Sequence, residues 1–335
     1  MINPSTKDDI FDYLLSFASS AALGAALELG LFWLLDERPL DAAGVARALG
    51  IPASRCQYWL QLLESIGLVD QVAQGYAPSS TAQTAILDAY SQESWAFLAG
   101  EARERFPAVR DLALHIREPG STWAAQDLTP PDYFAQMVDN PKRACTFTHM
   151  LYELHRSQAR ELAQVLDVTG VRQLMDLGGG SGVMSLALLR QHPSLTSIVV
   201  DIESVCVAGR EIAAGHPAAE RITYQAADFL HDDLPGACDM ALLCDIGVYE
   251  QVFLRKIQAA LNPGGRLVVV DQFAPAPGVA PAPRLHWAFL GALHNPDSAD
   301  PTAGEIQARL TRAGFQLLSK SVLPGHWTVI ETRKT

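Results

Sequence analysis

Five cysteines stand in 335 residues, at positions 56, 145, 206, 238 and 244. None is spaced C-x-x-C and the number is odd, which fits a reduced, cytoplasmic compartment better than a disulfide framework. Positive charge is also scarce: 25 Lys and Arg face 37 Asp and Glu, a net charge of −12. That balance argues against a nucleic acid or an anionic membrane as partner. The N-terminus, Met1-Ile-Asn-Pro-Ser-Thr-Lys-Asp-Asp9, lacks a cationic start followed by an apolar run, so no signal peptide is expected. No apolar stretch is expected to reach the ~20 residues of a membrane span. With 49% apolar and 19% charged residues, what remains is an ordinary globular chain long enough for two domains.

The most informative stretch is Asp176-Leu-Gly-Gly-Gly-Ser-Gly182. Val171 to Asp176 before it reads as a short buried strand. Val183 to His192 after it is apolar at helical spacing. A glycine turn between strand and helix lets backbone N–H groups approach an anionic or dipolar ligand, and the helix N-terminus adds partial positive charge. The glycines at 178, 180 and 182 read G-x-G-x-G, whereas a dinucleotide turn wants G-x-G-x-x-G.

Ahead of this turn, residues 8–36 read as one or two helices whose Ala-rich apolar stripe spreads round the helix and wants burial on more than one side. That burial is either plain core or, as we favour by analogy, a second copy of the chain. Residues 40–87 read as a winged helix: helix 40–49, a Gly50-Ile-Pro turn, helix 53–66, then a strand, turn and return strand. Residues 1–90 hold ten acids against four Lys or Arg, too few bases around a groove-reading helix for DNA binding. Residues 91–168 read as a helical linker and lid. Its last helix carries Phe147, Met150, Leu151 and Leu154 as an apolar stripe, with His149, Tyr152, His155 and Arg156 on its flanks. Such a helix is either core with a solvated flank or a cover over a ligand mouth.

From residue 171 onward strands and helices alternate, the pattern of a parallel sheet. Asp201, followed by Ile202, ends the second strand 25 residues after Asp176 and is placed to accept both ribose hydroxyls of an adenosine cofactor. Asp228 and Phe229 end the third, where a carboxylate and an aromatic ring suit an adenine. The fourth runs Asp239 to Asp245. Gln316–Leu323 and His326–Glu331 read as a hairpin across Pro324-Gly325.

Together, Asp176 to Gly182, Asp201, Ala227-Asp228-Phe229, Leu261-Asn-Pro-Gly-Gly265, His294-Asn-Pro296 and Ala313-Gly-Phe315 resemble the plant-type S-adenosylmethionine (SAM) O-methyltransferases and their bacterial relatives. The resemblance implies an α/β class: a Rossmann-like class I sheet of seven strands, the last antiparallel, behind an N-terminal winged-helix dimerisation domain. The domains are then 1–90, 91–168 and 169–335. It implies SAM as cofactor, held by Asp176, Gly178, Gly180, Gly182, Asp201, Ile202, Asp228, Phe229 and Cys244, and a homodimer acting on a small molecule.

Two departures bear on mechanism. The family's His-Asp-Trp after the fourth strand, whose His is the general base, is Cys244-Asp245-Ile246 here. The acid that orients that His, two residues after the position of His286, is Ala288. Cys244 and Asp245 are left as the catalytic candidates, although a buried Cys is more often inert. Phe147, His149, Met150, Tyr152, Tyr249, Arg284, Trp287 and His294 are candidate substrate residues, with Phe289, Arg143 and Arg156 near them. A missing base fits an acceptor that needs no deprotonation. S-methylation of a thioether acid such as 4-methylthio-2-hydroxybutyrate is the leading expectation, since aromatic faces stabilise a product sulfonium. O-methylation of an acidic phenol, metal-assisted C-methylation of a 2-oxo acid through Asp245 and His294, and SAM binding without transfer are the alternatives. No metal is expected.

Overall fold

The computed structural model describes residues 4–129, 132–275, 285–297 and 300–335. The chain divides into two units, Met1–Arg110 and Asp111–Thr335. The boundary thus falls about two helices beyond residue 90, and the helix considered as a lid belongs to the second unit.

The first unit opens with α1 (Lys7–Glu28), started by a capping box in which Thr6 and Asp9 satisfy each other's backbone N–H groups. Then follow α2 (Leu31–Glu37), α3 (Ala42–Leu49), α4 (Ala53–Ser65), β1 (Val69–Val72), β2 (Gly75–Pro78), α5 (Ser80–Ala82), α6 (Gln92–Arg105) and α7 (Pro107–Arg110). Gly50 ends α3 in the left-handed conformation, as the Gly50-Ile-Pro turn implies. β1 and β2 form the antiparallel wing, and Tyr76 also bridges Leu40. The C-terminal part of α1 is core, burying Ala22, Ala26 and Leu27, but its N-terminal stretch is not. Phe11, Leu14, Leu15 and Phe17 are exposed. By length and composition α1 is apolar enough to cross a membrane, which corrects the expectation that no stretch is.

The second unit runs α8 (Leu112–His115), α9 (Tyr133–Asp139), α10 (Pro141–Val165), β3 (Gln173–Leu177), α11 (Val183–Gln191), β4 (Thr196–Asp201), α12 (Glu203–Ala214), β5 (Ile222–Ala226), β6 (Cys238–Cys244), α13 (Gln251–Ala260), β7 (Leu261–Asp271), α14 (Leu285–His294), α15 (Ala303–Arg312), β8 (Phe315–Leu323) and β9 (Trp327–Lys334). The strands order β5-β4-β3-β6-β7-β9-β8. β9 runs antiparallel to both its neighbours and the others are parallel, so the expected seven-stranded sheet is present. Its central strands β3, β6 and β7 read as near-continuous apolar runs because both faces are covered. One face buries Leu174, Leu186, Leu188, Val199 and Val268 with α10 and α11. The other buries Met175, Leu177, Leu243, Phe253 and Leu267 with α13 and α15.

The strand order reverses between β3 and β6, and the crevice beyond their carboxyl ends is where an open α/β sheet binds its ligand. Under that crevice the Tyr249 hydroxyl donates to the buried carboxylate of Asp271 in a short hydrogen bond. Burial first, then the Asp271 charge, drive the Tyr249 hydroxyl far above its ordinary range, so it stays a donor. Tyr249→Phe leaves the carboxylate short of a donor and is expected to cost about 1–3 kcal/mol in denaturant unfolding.

Candidate active site

The glycine turn is shaped by positive φ at Gly178, Gly180 and Gly182, at 65°, 58° and 73°. A Cβ on Gly179 would lie 2.6 Å from the Asp176 carboxyl carbon, and one on Gly182 2.7 Å from the Tyr224 hydroxyl. The Tyr224 hydroxyl donates to the Ser181 carbonyl at 2.8 Å and braces the turn from below. Tyr224 carried no motif in the sequence; only Gly182 and Gly209, both crowded by its ring, hint at it. A Cβ on Gly180, by contrast, would meet nothing within 4 Å, so the turn opens onto free space there.

Two carboxylates flank that space. Asp201 accepts the Gly180 N–H at 2.9 Å and the Ile202 N–H at 2.8 Å, tying the β4 end to the turn. Asp176 is buried and accepts the Ser185 hydroxyl at 2.6 Å, while its Oδ1 has no partner. Burial raises both carboxyls to about 6, partly opposed by those hydrogen bonds. A buried carboxylate with an unpartnered oxygen beside an open glycine turn suits a cationic, amine-bearing ligand. SAM fits that description. Phe229 and Ile246 close over Gly178, at 3.4 and 2.9 Å from a Cβ built there. Asp228 engages both its oxygens locally, accepting from the Leu230 N–H and pairing with His231 at 2.7 Å. It therefore shapes the β5 loop in this conformation, and an adenine amine would have to compete for it.

At the end of β6, Cys244 is half-buried. Burial, then the charges of Asp245, Asp176 and Asp271, raise its thiol well above the ordinary range. Such a thiol stays protonated at neutral pH, which removes Cys244 as a base. Asp245 takes φ of 53°, unusual for a non-glycine residue and a mark of a constrained site. Its Oδ2 lies 3.7 Å from Nε2 of His155 on α10. His155 also packs edge-on to Trp327, with ring centroids 5.8 Å apart. Leu154, His155, Gln158, Glu161, Gly325 and Trp327 line a cavity of about 380 Å³ between α10 and the β8–β9 turn. That volume is in the range of small-molecule sites. The sequence flagged His155 only as a flank of α10; Gln158 and Trp327 were missed because their signal lies in strands and helices distant along the chain.

The other substrate candidates scatter. Tyr249 and Met150 are sealed in the interior, which corrects both as lining residues. Tyr152 packs on the core beneath α10, and Phe147 packs with Ile202 against Met137, Ala144 and Val205. His149 is exposed on another side of α10. With Cys145 and Glu211 it brings three potential ligand atoms within 4.8 Å of one another, a cluster that includes neither Asp245 nor His294. Trp287 and Phe289 are exposed on α14, and His294 is exposed at its end. Arg284 lies outside the described residues. Tyr249's burial removes one face of the aromatic cage expected for a sulfonium product.

Two family models match this chain: an O-methyltransferase domain over residues 110–316 and an O-methyltransferase dimerisation domain over residues 11–87. The chain belongs to the O-methyltransferase family. It is 33% identical over 255 residues to a 3-hydroxy-5-methyl-1-naphthoate 3-O-methyltransferase of Streptomyces sahachiroi, covering 74% of this chain and 72% of that one. It is 26% identical to an acetylserotonin O-methyltransferase of Bos taurus over 96% of both chains. Among solved structures, human N-acetylserotonin methyltransferase with SAM superposes with a TM-score of 0.81 at 21% identity, covering 100% of this chain and 99% of that one. PigF with S-adenosylhomocysteine (SAH) gives 0.85 at 23%, covering 98% and 100%. This member is a SAM-dependent methyltransferase whose first unit carries the family's dimerisation domain.

The burial of Asp176 sets a pH signature. Its folded pKa lies above the unfolded value of 3.8, so its contribution to stability is full below about pH 4 and is lost as pH rises through about 6. Asp176→Asn escapes that loss. Without cofactor it should match the wild type at pH 4 and gain on it by up to roughly 3 kcal/mol by pH 7, read as a diverging thermal midpoint, while binding SAM more weakly.

Proposed function

We propose that this enzyme transfers the methyl group of SAM to the hydroxyl of a small aromatic acceptor, a phenol or hydroxynaphthoate-like acid, and works as a homodimer. The observation that carries the reading is the 33% identity to an enzyme named for 3-O-methylation of a hydroxynaphthoate. Relatives named as acetylserotonin and tetracenomycin O-methyltransferases support the same acceptor class. The cavity between α10 and the β8–β9 turn, with Trp327 and Leu154 on its wall and Gln158 and Glu161 as polar groups, suits a flat ring with polar substituents.

SAM, when bound, supplies an electrophilic methyl carbon attached to a good leaving group. The chain's own contribution is to hold donor and acceptor in line, worth several kcal/mol of barrier. Asp201 and the glycine turn orient the donor end, and the β6 end with Asp245 faces the acceptor. The thioether route rested on the absence of any base and on an aromatic cage. His155 beside Asp245 weakens the first support and the burial of Tyr249 weakens the second, so we adopt the aromatic hydroxyl.

The homodimer reading rests on the dimerisation domain and on α1, whose Phe11, Leu14 and Phe17 stand exposed on a helix of that domain. A second copy is the partner such a face suits.

Incubation with SAM and a panel of phenols, hydroxynaphthoates and thioether acids, resolved by mass spectrometry, should give SAH and a methyl ether. A sulfonium product with untouched phenols would contradict the proposal. In light scattering the wild type should have twice the chain mass and Leu14→Asp/Phe17→Asp should shift toward the single chain. An unchanged mass would count against α1 as the dimer face.

A further inference from the structure

We infer that His155, on α10, is the general base for the acceptor hydroxyl, with Asp245 as the carboxylate that stabilises its charged form; this rests on the aromatic-hydroxyl reading above. The base position after the fourth strand is Cys244-Asp245-Ile246, which holds no histidine and a thiol that burial pushes above its ordinary range. His155 is the histidine that the fold brings to Asp245.

Its ring is set for the task. Nδ1 lies 3.0 Å from the Leu151 carbonyl oxygen, which can only accept, so Nδ1 carries the hydrogen and Nε2 keeps its lone pair. Trp327 packs edge-on against the ring and fixes its plane. Nε2 stands 3.7 Å from the Asp245 carboxylate, too far for a hydrogen bond. The lone pair is therefore not consumed by the carboxylate, and it borders the cavity. Gln158 lines the same cavity, is buried, and has an Oε1 with no hydrogen-bond partner. Among the described residues, Asp245 at the β6 end faces His155, and Glu161 on α10 lines the same cavity.

In the reaction, the hydroxyl proton passes to Nε2 as the acceptor oxygen forms its bond to the methyl carbon. The carbon–sulfur bond breaks with its electron pair on sulfur, leaving neutral SAH. The positive charge of the donor ends on His155, beside Asp245. Release of that proton to water resets the base.

The test is single-turnover methyl transfer by wild type, His155→Gln and Asp245→Asn on two acceptors: a naphthol that is neutral at the assay pH and a nitrophenol already ionised. Removing a general base should slow His155→Gln by about 10²–10⁴-fold on the naphthol and little on the nitrophenol, with SAH affinity unchanged. Asp245→Asn should show a smaller loss with the same acceptor dependence. A second readout needs no turnover: in the SAH complex, the naphtholate absorbance of bound naphthol should appear at lower pH in wild type than in His155→Gln. Equal losses on both acceptors, or none, would overturn His155 as base while leaving the hydroxyl reading intact. A wild type that methylates thioethers and neither hydroxyl acceptor would overturn both. If His155→Gln fails to fold, Asp245→Asn and the wild-type absorbance titration decide alone: acceptor-independent loss together with an unshifted naphthol overturns the inference.

Discussion

The site depends on a buried carboxylate placed under a glycine turn that leaves no room for a side chain at Gly179. Asp176 is held at the end of β3 by the Ser185 hydroxyl, and Gly179 lies so close above it that a Cβ would strike its carboxyl. Burial makes its charge costly, the Ser185 hydroxyl offsets part of that cost, and a cationic ligand would offset more. Asp201 adds a second tie, fixing the turn to β4 through the Gly180 N–H. The cofactor site is thus an under-compensated electrostatic arrangement, stabilised by a sheet whose central strands are buried.

The acceptor side is built differently. No single motif carries it. His155 comes from a helix before the sheet, Asp245 from the fourth parallel strand's end and Trp327 from the start of the last strand. The sheet's reversal between β3 and β6 and the antiparallel return of β9 bring these distant segments to one end. That modular arrangement lets donor binding stay fixed while acceptor chemistry shifts from one element to another, here from the β6 loop to α10.

The cofactor half was legible because its chemistry is local in sequence: a strand, a glycine turn and an acid at the next strand end. The central parallel strands were legible because buried parallel strands are continuous apolar runs, and the β8–β9 hairpin because Pro324-Gly325 punctuates it. The acceptor half was not. Tyr249 reads as a pocket aromatic and turns out to be sealed beside Asp271, because helical and loop registers cannot be told to one residue from pattern alone. His149 and His155 look equivalent on one helix. They are six residues apart, about 120° round it, so one meets Cys145 and Glu211 and the other Asp245. The apolar stripe of α1 was seen, but its exposed length was not, since composition does not say which neighbour covers a face.

The most direct test of the account is calorimetric binding of SAH to the wild type and to Asp201→Ala. The account predicts saturable binding of one SAH per chain in the wild type and at least tenfold weaker binding, about 1.4 kcal/mol, when the carboxylate that ties the glycine turn to β4 is removed. No measurable affinity in the wild type, or equal affinity in the variant, would contradict it.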